Sequence, residues 1–201
     1  MSGVRVMIMA GGTGGHIFPG LAVAEALRAR GAEVCWLGTP AGLENRLVPG
    51  AGIELEHVAV QGLRGRGVLG WLAAPLRILR AVWQARRILV RRRPQCVLSM
   101  GGYVAGPGAL AARLMGIPLV VHEQNAIAGL TNRLLRPLAR RIMCGFPDTL
   151  TGGDHVGNPV RHDIASLDTP SARMAARGYP VLREHTGALR QIHSQSPQSQ
   201  E

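Results

Sequence analysis

A chain of 201 residues with 46% hydrophobic side chains is long enough to bury a core and too apolar to remain unfolded. Its 23 basic residues, all of them arginine, against 12 Asp and Glu leave a formal charge of +11, which points to an anionic partner. No apolar stretch is long enough to span a bilayer, and glycines break the first apolar run too early for a signal peptide, so any membrane contact is expected to be peripheral.

Val4–Ala10 is a short apolar run ending in glycines and reads as a buried parallel strand. Gly11–Gly15 is then a loop, and Pro19 falls where the first turn of a helix tolerates it. Leu21, Ala24 and Leu27 carry that helix to about Arg30, where Gly31 stops it. Val34–Leu37 is a second strand, Leu43–Val48 a short helix ending at Pro49, and Ile53–Val60 a roughly alternating strand. Trp71–Arg93 has a long, basic helical pattern. Gln95–Met100 is a strand followed by Gly101 and Gly102, Ala105–Met115 a helix, Pro118–His122 a strand, Leu130–Arg140 a helix and Arg141–Cys144 a last strand. Strands alternating with helices predict a parallel sheet covered on both faces, a Rossmann-like α/β domain over residues 1–165. Residues 166–201 have few apolar runs and close on a polar, low-complexity stretch, which predicts a disordered tail.

Three turns and one helix carry candidate chemistry. Gly11-Gly-Thr-Gly-Gly-His16 lies between a strand and a helix, where glycines let backbone N–H groups approach a ligand and the helix N-terminus favours an anion. The register is not that of a dinucleotide fingerprint, no acidic residue ends the second strand, and no Lys-Ser/Thr follows as in a Walker loop. His16 sits at the mouth of the sheet; it reads either as a base for a sugar hydroxyl or as a loop or capping histidine. Ser99-Met-Gly-Gly-Tyr103, with Gly106-Pro-Gly108 after it, is a second glycine turn; two such turns on one sheet edge suit a diphosphate, while close packing alone would account for one glycine. His122-Glu-Gln-Asn125 offers a carboxylate and two amides for sugar hydroxyls; Asn125 would equally cap the next helix, whereas Glu123 has no evident structural duty.

In the basic helix Leu72, Leu76, Leu79, Val82 and Trp83 recur at three- and four-residue steps among Arg77, Arg80, Arg86, Arg87 and Arg91 to Arg93. This pattern suits anionic lipid headgroups, and it also suits a core helix with one solvated face. With aromatics at only 3%, no base-stacking set accompanies the charge, so nucleic acid is not expected as a partner. Cys35, Cys96 and Cys144 are far apart with no CxxC spacing and read as buried reduced thiols; no metal site is expected.

Taken in order, Met9–His16 with Pro19-Gly20, Gly62-Leu-Arg-Gly65, Met100–Tyr103, His122–Asn125 with Ala128–Asn132, and Val156-Gly-Asn-Pro-Val-Arg161 resemble the MurG family of glycosyltransferases. The resemblance covers about residues 4–165. It implies the N-terminal half of a GT-B enzyme, whose members move N-acetylglucosamine from UDP-N-acetylglucosamine to the muramoyl C4 hydroxyl of lipid I, with inversion and without a cofactor. On that pattern His16 is the general base, and Thr13, Gly14, Gly15, Asn125 and Arg161 match donor-binding positions. Gly14, Gly15, Gly101, Gly102, Tyr103 and Glu123 fall to the acceptor, so the first loop carries both assignments. Leu72, Leu76, Leu79 and Trp83 with Arg77 and Arg80 would dock on anionic lipid at the cytoplasmic face of the bacterial inner membrane. The family continues beyond this point into a second α/β domain, which residues 166–201 do not resemble, so a truncated chain with little activity of its own is expected.

Overall fold

The computed structural model describes residues 3–60 and 74–160, and besides them only residues 166, 168 and 176. Gly62–Gly65, Leu72 and Arg161 lie outside the described residues, as does nearly all of the expected tail. The chain divides into two compact units, Met1–His162 and Asp163–Glu201, and every element below belongs to the first.

The strands are β1 (Arg5–Ala10), β2 (Glu33–Gly38), β3 (Glu54–His57), β4 (Cys96–Gly101), β5 (Leu119–Glu123), β6 (Arg141–Cys144) and β7 (Asp154–His155). The helices are α1 (Gly14–Ala29), α2 (Glu44–Gly50), α3 (Ala74–Arg92), α4 (Ala105–Leu114) and α5 (Leu130–Leu135), followed by a 3-10 turn over Arg136–Leu138. The strands form one seven-stranded sheet in the order β3-β2-β1-β4-β5-β6-β7. Every neighbouring pair is parallel.

Both faces of the sheet are buried, which is why its strands read as continuous apolar runs. Val6, Ile8 and Ala10 join Ile17, Ala24, Trp36 and Met100 in one core beneath α1 and α2. Met7 and Met9, pointing the other way, join Val97, Ala81, Ala85, Ala109 and Ala112 beneath α3 and α4. Gly108 belongs to this packing: a Cβ there would lie 2.5 Å from the Met9 sulfur.

Several elements differ from expectation: the third strand keeps only Glu54–His57 of the expected Ile53–Val60, and α2 runs through Pro49 to Gly50. α1 begins at Gly14, so Gly14, Gly15 and His16 form its first turn and Pro19 lies inside the helix. The expected Leu130–Arg140 helix stops at Leu135, because Pro137 has no N–H to continue it and the chain tightens into the 3-10 turn. β7 has only two residues, too few to leave a periodic signal, and it was not expected.

Candidate active site

The strand order runs outward in both directions from β1 and β4, so the chain reverses direction across the sheet between them. Crevices at such a point, outside the carboxyl ends of the strands, are where open α/β sheets bind ligands. Both glycine turns end there. Gly102 (φ +88°) packs so closely on the first loop that a Cβ would lie 2.5 Å from the Gly11 carbonyl oxygen. The two turns therefore meet backbone to backbone, which only glycine at this position permits.

His16 sits at this junction. A Cβ on Gly101 (φ +103°) would come within 3.1 Å of the imidazole Cε1 and Nδ1, so the ring lies close against bare backbone. Nδ1 also meets the side-chain nitrogen of Gln124. That nitrogen also donates to the Met100 carbonyl at 2.8 Å, which fixes the orientation of the amide. Burial pushes the His16 pKa below its ordinary value; the Glu123 carboxylate and the Met100 carbonyl pull it partly back. At neutral pH the ring is thus neutral, with a carboxylate nearby that favours the imidazolium once a proton arrives.

Glu123 is fully buried, and the expectation that it lacks a structural duty is corrected. Its Oε1 accepts from the backbone N–H and the side-chain amide of Asn125, at 3.0 and 2.8 Å. Its Oε2 accepts from the Gly129 N–H and the Asn132 side chain, at 2.9 and 3.0 Å. The carboxylate is the hub of the β5–α5 loop, and its four bonds leave it little capacity to contact a sugar directly. Asn125 is accordingly tied to Glu123 and is not the cap of α5, whose N-cap is Gly129.

Sequence reasoning gave Asn132 and Ser99 no role and read Gln124 only as an amide for sugar hydroxyls, although all three lie inside the motifs. Asn132 donates to the His122 carbonyl and accepts from the Ser99 hydroxyl, at 3.1 Å each, and so couples β4, β5 and α5. The Val156–Val160 stretch is bound to the same edge. The Gly157 carbonyl contacts His122 Nε2 at 3.2 Å, and the Asn158 side chain donates to the Gln124 carbonyl at 3.0 Å. Thr13 is the N-cap of α1 but makes no side-chain capping bond, and Tyr103 is 54% exposed beside the second turn.

Elsewhere, α3 turns its small residues inward. Ala74, Ala81, Ala85, Ile88 and Leu89 are buried, whereas Leu76, Leu79 and Trp83 are 73, 65 and 55% exposed. The Arg87 guanidinium lies over the Trp83 ring, 4.8 Å from its centroid. Arg77 and Arg80 are exposed on the same helix. Among the described residues no helix is long and apolar enough to cross a membrane. The three cysteines are free, Cys35 and Cys144 buried, and burial pushes the Cys35 thiol up to about 11.

Residues 6–144 match the model of the glycosyltransferase family 28 N-terminal domain. The chain belongs to glycosyltransferase family 28. One relative in this family is the UDP-N-acetylglucosamine–N-acetylmuramyl-(pentapeptide) pyrophosphoryl-undecaprenol N-acetylglucosamine transferase of Alkalilimnicola ehrlichii, 61% identical over 178 residues, or 88% of this chain and 50% of that protein. The enzyme of the same name from Xylella fastidiosa is 57% identical over 176 residues, 88% of this chain and 48% of the relative. The family 28 chain thus spans about half the length of the curated relatives it matches. Among solved structures, Acinetobacter baumannii MurG superposes with a TM-score of 0.68 at 49% identity, over 76% of this chain and 44% of that one. The Streptomyces glycosyltransferase SsfS6 shares the fold alone, with a TM-score of 0.54 at 20% identity over 75% of this chain and 51% of that one. The domain has the architecture of the N-terminal half of GT-B glycosyltransferases.

Proposed function

We propose that this domain is the acceptor- and membrane-binding half of an inverting N-acetylglucosaminyltransferase that converts lipid I to lipid II in peptidoglycan synthesis. The observation that carries the reading is His16, a neutral imidazole held at the junction of two glycine turns on the sheet edge. There it removes the proton from the muramoyl C4 hydroxyl while the glycosyl bond to UDP breaks. A base acting through Nε2 carries its own proton on Nδ1. The Met100 carbonyl attracts an imidazole N–H, and Nδ1 itself meets the Gln124 side-chain nitrogen.

The N–H groups of Gly14 and Gly15 head α1 and, with Gly101 and Gly102, suit the acceptor diphosphate. Thr13, Asn125 and Arg161, with Gly14 and Gly15 again, are assigned to UDP-N-acetylglucosamine by resemblance. Tyr103, exposed beside the second turn, faces the acceptor side, and Glu123 acts on the acceptor only by holding Asn125 and the β5–α5 loop. The exposed Leu76, Leu79 and Trp83, with Arg77 and Arg80, support docking on anionic lipid at the cytoplasmic face of the inner membrane. The domain boundary falls near residue 165.

The test is a chimera joining residues 1–160 of this chain to the remaining half of the Alkalilimnicola ehrlichii relative. It is expected to transfer radiolabelled N-acetylglucosamine to lipid I, and the His16→Ala chimera is not. A folded chimera that is equally active without His16 would sink the reading. A second reading, a lipid- and membrane-binding module without catalysis, is favoured by the exposed Leu76, Leu79 and Trp83 on the basic helix α3. Vesicle binding by the 201-residue chain with no turnover when both substrates are supplied supports it.

A further inference from the structure

Glu44 is fully buried at the start of α2, and the mechanism above does not use it. Its Oε1 accepts from the Thr39 N–H at 2.8 Å and the Thr39 hydroxyl at 2.7 Å. Its Oε2 accepts from the Gly12 N–H at 3.2 Å. The described ion pairs include none to this carboxylate. Burial pushes its pKa up, but the bonds from Thr39 and Gly12 outweigh burial and hold it below the usual carboxylate range. The chain makes room for it with three glycines from separate segments. A Cβ on Gly11 would lie 2.7 Å from Oε1, one on Gly38 2.7 Å from Cγ and one on Gly42 1.9 Å from Oε2.

A negative charge directly beneath an anion-binding loop is electrostatically unfavourable for the anion. Its retention in a tailored slot calls for a compensating role. We infer that Glu44 is a positioning residue for the first glycine loop: by holding the Gly12 N–H inward it fixes the loop so that the Gly14 and Gly15 N–H groups face a diphosphate. This rests on reading that loop as a diphosphate site. It also divides the loop's donors. Gly12 is committed to the protein, and the anion falls to the first turn of α1, where Thr13 supplies no capping bond.

Glu44→Gln separates geometry from charge. A Gln keeps the volume and one acceptor oxygen, which the two Thr39 donors take, and turns its NH2 toward Gly12, a donor against a donor. The Glu44→Gln chain is therefore expected to lose hydrogen-exchange protection at the Gly12 amide. In an NMR titration of the 201-residue chain it should bind inorganic pyrophosphate about tenfold more weakly than wild type, although a repelling charge has been removed. Thr39→Val removes one bond to the same carboxylate but leaves the Gly12 link, and should keep pyrophosphate affinity within about twofold. Tighter binding by Glu44→Gln would mean that the charge acts only by repulsion and would overturn the inference. Equal loss in both variants would reduce Glu44 to a structural residue and overturn it as well. A folded wild-type chain that ignores pyrophosphate would instead bring down the diphosphate reading of the loop, and this inference with it.

Discussion

At the carboxyl edge of the sheet Glu44, Ser99, Glu123, Gln124 and Asn132 are buried, while on α3 Leu76, Leu79 and Trp83 are exposed. Each region reverses the usual distribution of residue types, and in opposite directions. The buried polar groups answer one another through hydrogen bonds centred on two carboxylates, so the edge is rigid and its geometry is set before any ligand arrives. The exposed apolar groups lie outside the two described cores, because α3 packs through Ala81, Ala85, Ile88 and Leu89. One region is built to hold atoms in place, the other to meet a surface. Substitutions among the buried polar groups of the edge should therefore disturb stability and chemistry together, and substitutions of the exposed α3 side chains should leave stability nearly unchanged.

The largest effect is expected at the edge. His16→Ala in the chimera should lower turnover by roughly 10²–10⁴-fold, measured by radiolabelled transfer, with little change in the melting temperature. Glu123→Ala should cost about 3 kcal/mol of unfolding free energy in denaturant titration, because it strands the buried Asn132 amide and the Gly129 N–H. A loss below about 1 kcal/mol would break the picture of a cooperative polar edge. On α3, Trp83→Glu should weaken co-sedimentation with anionic vesicles by about tenfold while moving stability by no more than about 0.5 kcal/mol. A large loss of stability there would make α3 an ordinary core helix.

The smallest effect is the pH dependence of His16. Its folded pKa is lowered, so as pH falls past about 6.5 the unfolded chain takes up the proton first. His16 therefore lowers stability progressively as pH falls from that value to its own lower value, the loss persisting below it, and His16→Ala should flatten the slope in that window. The acid limb of kcat/KM in the chimera should likewise lie below about 6.5. Gln124→Glu places a carboxylate against Nδ1 and should raise the His16 pKa, which NMR titration of the ring would read.

The sheet and its alternation with helices were legible because parallel strands buried on both faces leave apolar runs such as Met7–Ala10 and Val34–Leu37. The glycine turns and His16 were legible because such turns fall between a strand and a helix. Glu44 and Glu123 were not. A carboxylate's burial depends on donors brought from elsewhere in the fold, here Gly12 across β1 and Asn132 on α5, and no local pattern records them. Gln124 and Asn132 stood inside noticed motifs, yet their partners Met100 and Ser99 come from the neighbouring strand. On α3 the periodicity marked an apolar stripe but not its direction, since Ala81, Ala85, Ile88 and Leu89 face inward while Leu76, Leu79 and Trp83 do not.

The most direct test of the central claim is co-sedimentation of the 201-residue chain with anionic vesicles prepared with and without lipid I. Binding to both, tighter with lipid I and reduced to the plain-vesicle level by Gly102→Val, is the predicted result. Equal binding with and without lipid I, in a chain shown to be folded, would contradict an acceptor site at the junction of the two glycine turns.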